Sequence, residues 1–277
     1  MISMTANILY QVKELFESKE WKIEEHERSV FNKFCNMLSF LTDDQKDLIL
    51  NLSKNYLRIN FKEYEHHLIM ALDKFCSNLS KQIKHIYVFP VKLQEDIGKN
   101  KGSDVIIRFF YDPDIESYKK LANIKIYKCD VIDSIPKNFN TDDSSTILIV
   151  DDFVGTGETV NRFIEIFKTN NIDISRISIL SLVIHSFGLK TLSNITANIY
   201  YSVLIKRGIT DLLQDNCNKF LKIMEEIEDK IKVKSKFKSG YGKCEALISL
   251  IRTPNNTFPV YWYENKSVKN VVPFPRN

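Results

Sequence analysis

The chain has 277 residues, of which 44% are hydrophobic and 27% charged. That is enough apolar matter for one large core or two smaller ones, and it excludes a disordered chain. A net charge of +4 is a weak basic bias that neither demands nor excludes nucleic acid. No apolar run approaches the roughly 20 residues that span a bilayer, and residues 1–10 lack a signal-peptide layout, so no membrane partner is expected. Cys35, Cys76, Cys129, Cys217 and Cys244 are widely spaced, without a CxxC pair, and read as small buried hydrophobes in a reducing cytoplasm. The histidines show no ligand spacing, and His66-His67 reads as a helix surface; no protein metal site is expected.

The first proline is Pro90 and the first glycine Gly98, so the leading third of the chain contains neither backbone breaker and should be helical. Ile8, Leu9, Val12, Leu15 and Phe16 fall on one helical face, as do Val30, Phe31, Phe34, Leu38 and Leu41. Thr42 and Gln45 form a capping box ahead of Leu48, Ile49, Leu52 and Tyr56. A last stripe runs through Phe61, Tyr64, Leu68, Leu72 and Phe75. The spacing predicts three to five helices over residues 1–80, and a domain division into a helical region 1–82 and an α/β domain 83–277.

From Ile83 short apolar runs alternate with polar turns. Strands are predicted at 86–91, 124–127, 146–150, 177–184, 199–205 and 246–251, with helices between several of them. Nearly continuous apolar strands alternating with helices imply a doubly wound, mainly parallel α/β sheet. Residues 104–111 read as helix or strand. A long helix is predicted over 210–231, where Leu213, Cys217, Phe220, Met224, Ile227 and Ile231 form a seam. One face packed on its own domain is favoured over a homo-oligomeric coiled coil, which needs more heptads.

The most informative run is Ile147-Leu148-Ile149-Val150-Asp151-Asp152-Phe153-Val154-Gly155-Thr156-Gly157-Glu158-Thr159-Val160. A buried strand leads into two carboxylates, a small hydroxyl-rich turn and an amphipathic helix. Gly155 and Gly157 let backbone approach a phosphate, amides at the helix start donate to it, and Thr156 and Thr159 add hydroxyls. Asp151 and Asp152 lie where carboxylates accept hydrogen bonds from ribose hydroxyls. The carboxyl end of a parallel strand is where open α/β sheets bind ligands.

This run resembles the signature of type I phosphoribosyltransferases, departing from it in having Gly155 where Thr or Ser is common. The resemblance implies the phosphoribosyltransferase type of sheet and 5-phosphoribosyl-1-pyrophosphate (PRPP) or a related nucleotide as ligand, with Mg²⁺. It also implies Asp151 and Asp152 at the ribose, and Gly155, Thr156, Gly157, Glu158 and Thr159 around the 5-phosphate. Ribosyl transfer builds positive charge on the sugar, which nearby carboxylates stabilise, so both acids are candidate catalytic groups. A transferase of this kind also needs a pyrophosphate loop after its first strand. The small residues that usually follow such a strand are missing after Val91, and Lys101-Gly102-Ser103 is the candidate instead, against the alternative of a solvated turn.

Residues 206–211, 240–247 and 253–262, taken with the helical N-terminal region, are similar to phosphoribosyltransferase-like proteins of bacterial conflict and anti-phage loci, including retron systems. That narrower resemblance implies a defence effector with a defence-system protein or nucleic acid as partner. Asn255, Asn256, Tyr261 and Trp262 are candidate base contacts, with turn and core roles as the favoured alternative. Lys230, Lys232, Lys234, Lys236 and Lys238 alternate, which in an extended segment would set them on one face for phosphates or protect a sheet edge. The rival to a transferase is a non-catalytic nucleotide sensor that keeps the phosphate cradle.

Overall fold

The computed structural model describes residues 6–24, 26–96, 98–265 and 272–276; residues 1–5 of the expected helical region lie outside them. In chain order the elements are α1 (Ala6–Ser18), α2 (Val30–Ser39), α3 (Asp43–Lys54), β1 (Leu57–Arg58), α4 (Phe61–Asn78), β2 (His85–Pro90), α5 (Gly102–Phe109), α6 (Pro113–Glu116) and β3 (Lys125–Lys128). There follow β4 (Ser145–Val154), α7 (Glu158–Thr169), β5 (Ile177–His185), α8 (Ser186–Ser193), β6 (Ile199–Ile205), α9 (Cys217–Lys230) and β7 (Ile248–Ser249). The chain forms two compact units, one from Met1–Ile59 with Lys206–Asn277 and the other from Asn60–Ile205. This division differs from one drawn at 82/83, because α4 packs on β5 and β6 and so shares a unit with the sheet.

The Asn60–Ile205 unit is a five-stranded parallel sheet in the order β3-β2-β4-β5-β6. Alternate residues of its central strands face opposite layers. Tyr87, Phe89, Ile147, Ile149, Ile177 and Ile179 pack with Val160, Phe163, Ile164 and Phe167 of α7 and Leu192 of α8. Residues of the other parity, such as Val88, Leu148, Val150, Leu180 and Leu182, are also buried. On that side α4 covers β5 and β6, and α5 covers β4 and β2. The sheet is therefore doubly wound, as expected. Its capping chemistry is local: the Asn60 side chain accepts from Lys62 N–H while Glu63 reaches back to Asn60 N–H, starting α4.

The second unit brings α1–α3 together with the C-terminal segment. Its core joins Phe16, Trp21, Phe31, Phe34 and Tyr56 to Met224, Ile227, Phe258, Tyr261 and Phe274. The strand expected at 246–251 shrinks to β7, which pairs with β1 (Leu57 opposite Ile248) in a separate two-stranded sheet. The helix expected over 210–231 starts only at Cys217. The Glu245 carboxylate accepts from the N–H groups of Ile209 and Thr210, holding that stretch in a turn. Met224 and Ile227 of its seam are buried in the unit's own core.

The lysine alternation does not become a strand. Lys230 ends α9 and donates to the Phe40 carbonyl, Lys232 has φ of +53°, and residues 235–237 form a 3-10 turn. Lys238 is held by Asp229 at 2.7 Å. The five side chains therefore share no face. Tyr261 and Trp262 are core residues, the Trp262 indole donating to the Thr257 carbonyl at 2.7 Å. The Asn256 amide donates to the Tyr241 carbonyl at 2.9 Å rather than to solvent.

One buried acid in this unit gives a stability test. Glu228 on α9 is 1% exposed, and its Oε1 accepts from Ser239 N–H at 2.8 Å. Burial pushes its carboxyl from the usual 4.5 up to about 7. The folded form thus binds the proton more tightly than the unfolded chain does. Its stabilisation is complete below about pH 4.5 and is lost as pH rises towards about 7, a swing on the order of 3 kcal/mol. Glu228→Gln still accepts from Ser239 and should lack that loss. Urea midpoints at about pH 5 and about pH 8 should diverge less in the variant than in the wild type, and equal divergence would contradict the assignment.

Candidate functional site

β4 sits between β2 and β5 and is buried on both faces until its last turn of polypeptide, so its first ionisable groups appear together at Asp151 and Asp152. Asp152 belongs to the face covered by α4 and α5. It is 8% exposed, and the Tyr64 hydroxyl from α4 donates to its Oδ2 at 3.0 Å. Gly102, the first residue of α5, lies against the same carboxylate so closely that an added Cβ would overlap it. Asp151 is only half-buried, and its Oδ1 accepts from Asp152 N–H at 3.0 Å.

Both carboxyls are raised. For Asp151 burial dominates, the neighbouring Asp152 charge adds to it, and Lys101 opposes. For Asp152 burial again leads, and the Tyr64 hydrogen bond works against it. The Asp152 charge favours a proton on Asp151, so the two acids titrate as a pair.

The turn after β4 is compact. Gly157 has φ of +80° and caps α7, with its carbonyl accepting from Asn161 N–H at 2.9 Å. The left-handed conformation suits glycine, and the position is also close-packed, since a Cβ would stand 3.2 Å from the Gly188 carbonyl. Gly188 on α8 is tighter still: its Cβ would meet the Gly155 carbonyl at 2.6 Å. Gly155 and Gly157 are buried, Thr156 and Thr159 half-buried, and Glu158 exposed. The Thr156 hydroxyl accepts from Glu158 N–H at 3.4 Å.

Lys101, Gly102 and Ser103 reach the same end of the sheet at the head of α5. Lys101 N–H donates to Asp104 at 2.9 Å, its ammonium to Asp96 at 2.8 Å, and the buried Ser103 hydroxyl to the Val91 carbonyl at 2.9 Å. Other cations of this loop are likewise held. Lys92 donates to Asp104 at 3.1 Å, Lys99 lies 3.7 Å from Asp96, and Arg162 of α7 forks onto Glu95 at 2.8 and 3.0 Å. Burial works against the Asp96 charge, but Lys101 outweighs it and holds the carboxyl below its usual range. The Arg162 fork does the same for Glu95.

Geometry thus joins the two stretches singled out in the sequence, through the Gly102–Asp152 contact. Sequence reasoning missed Tyr64, whose place in an apolar helical stripe marks it only as core, and Gly188, which carries no motif. Among the described residues no group of three or more His, Cys, Asp or Glu could cage a metal ion.

The PRTase-CE family model matches residues 19–276. Among solved structures, a purine phosphoribosyltransferase from Pyrococcus horikoshii Ot3 is similar at 17% identity, covering 54% of this chain and 87% of its own, with a TM-score of 0.31. The AQ2163 protein from Aquifex aeolicus is similar at 10% identity over 74% of this chain and 86% of its own, with a TM-score of 0.29. Comparison with curated proteins finds no match.

The glycine contacts make a test that needs no ligand. Gly102→Ala and Gly188→Ala force atoms into occupied space and should each cost about 1–3 kcal/mol. Gly98→Ala has nothing within 4 Å and pays only for its φ of +80°, about 1–2 kcal/mol. Denaturant titration ranks the three. An unchanged Gly102→Ala stability would mean that α5 does not pack on Asp152.

Proposed function

The chain belongs to the PRTase-CE family, and on that premise we propose that this phosphoribosyltransferase-like protein binds PRPP or a related ribose 5-phosphate at the end of β4. The observation that carries the reading is the convergence of a raised carboxylate pair with a close-packed glycine turn at the head of a twelve-residue helix. In this reading Gly155–Thr159 surround the 5-phosphate, with α7 N–H groups and the Thr156 and Thr159 hydroxyls as donors. The acidic end of β4 meets the ribose. Mg²⁺ carried on the ligand's diphosphate would supply charge neutralisation at the leaving group.

Transfer of the ribosyl-phosphate group would leave positive charge on the ribose ring, which a carboxylate at the strand end stabilises. A second reading, a nucleotide-sensing module without turnover, is favoured by one observation. Lys92, Lys99, Lys101 and Arg162 all have carboxylate partners from their own surroundings, so diphosphate competes with Asp104, Asp96 or Glu95 for these cations. A defence role, with a defence-system protein or nucleic acid as activator and a cytoplasmic location, rests on the family resemblance of the sequence. Among the described residues no helix is long and apolar enough to cross a membrane.

Thermal melting with Mg²⁺ tests the binding. At a hundredfold excess over Kd, PRPP or ribose 5-phosphate should stabilise by about 2.7 kcal/mol, or about 5–10 °C. The double change Asp151→Asn/Asp152→Asn should abolish the shift, and equal shifts in wild type and variant would remove the cradle. Pyrophosphate release from PRPP, measured with a panel of bases, nucleosides and nucleotides, separates transferase from sensor. If none of them elicits release from a protein that binds PRPP, the sensor reading replaces the transferase.

A further inference from the structure

The two acids at the end of β4 are not equivalent. Asp152 is turned into the layer under α4 and α5, with Tyr64 on one oxygen and Gly102 packed against the group. Tyr64 is itself 0% exposed, so its hydroxyl reaches no solvent and its donor is spent on Asp152. Asp151 keeps partial exposure at the same strand end. Resting on the ribose-phosphate reading above, we propose that Tyr64 is a positioning residue that anchors Asp152 inside the fold, so that Asp151 alone meets the ribose of the ligand.

The chemistry follows from where the proton sits. The Tyr64 O–H bond favours the charged form of Asp152, and that charge in turn favours a proton on Asp151. Lys101 at the head of α5 attracts the Asp151 charge, but its ammonium is shared with Asp96. From β5 the residue in register with Asp151 is Ser181, which does not titrate and donates to the Val183 carbonyl. Tyr64 is the neutral donor on the α4 side. Asp151 therefore becomes an acceptor for ribose hydroxyls as pH rises through its raised pKa, and Tyr64 sets that pH through Asp152.

Removing the phenol shifts the allocation. In Tyr64→Phe the ring still fills its place, but Asp152 loses its donor and its pKa rises, so Asp152 takes a larger share of the proton. A less charged Asp152 opposes ionisation of Asp151 less, and the Asp151 pKa falls. Ribose 5-phosphate affinity, measured by calorimetry on the full chain from about pH 5 to about pH 9, reads this directly. The ligand's own phosphate titrates near pH 6 in both proteins, so the ratio of variant to wild-type affinity cancels it.

That ratio should be highest at the acid end and fall as pH rises, because the variant reaches its acceptor form first. Asp152→Asn removes the same neighbouring charge by another route and should shift the ratio in the same direction. Asp151→Asn should lose about ten- to a hundredfold in affinity at the alkaline end, the equivalent of a lost charge-assisted hydrogen bond. A ratio independent of pH for both Tyr64→Phe and Asp152→Asn would overturn the positioning role while leaving the cradle intact. No binding by wild type at any pH would instead remove the ribose-phosphate reading, and this role with it.

Discussion

Everything at the candidate site depends on β4 being paired along both edges. β2 binds it from Ser145 to Val150, and β5 binds it from Ile147 to Val154. With helices over both faces, water cannot reach its middle, so its side chains must be apolar there. Ionisable groups are affordable only where the ladder with β2 ends. Asp151 and Asp152 appear at that point, one residue past the last β2 partner, Pro90.

Burying two adjacent carboxylates is costly, and the fold offsets the cost unequally. Asp152 receives a phenol and lies against the backbone at the head of α5, while Asp151 stays partly in solvent and accepts one backbone N–H. The same helix start carries Lys101. A single junction therefore ties the acid pair to the loop after β2. The glycines act in the same way at the head of α7, where Gly157 and Gly188 let the β4–α7 turn rest closely on α8. Close backbone contact leaves little freedom for the turn to relax.

The loop after β2 is a different kind of element. Its cations are held by carboxylates of neighbouring residues, Asp96 and Asp104 above all, with Glu95 receiving Arg162. Such exposed or partly exposed pairs are individually weak. Whether the loop opens to a diphosphate distinguishes a transferase from a sensor.

The sequence alone determined the parts whose cause is local. A buried apolar run, two acids and a glycine–threonine turn can only be a strand meeting a helix at a polar end, and the parallel sheet follows from alternation of strands and helices. The capping box at Thr42–Gln45 likewise acts within one turn. Tertiary structure decided the rest, because the deciding contacts join residues far apart in sequence. Tyr64 reaches Asp152 across 88 positions, and Glu245 stops the helix start at Thr210 from 35 positions away. The lysine alternation had a period of two but no partner strand, and without a ladder to satisfy its backbone the segment curls into a helix end and a 3-10 turn. Periodicity states which residues could share a face; only packing against a neighbour makes the face exist.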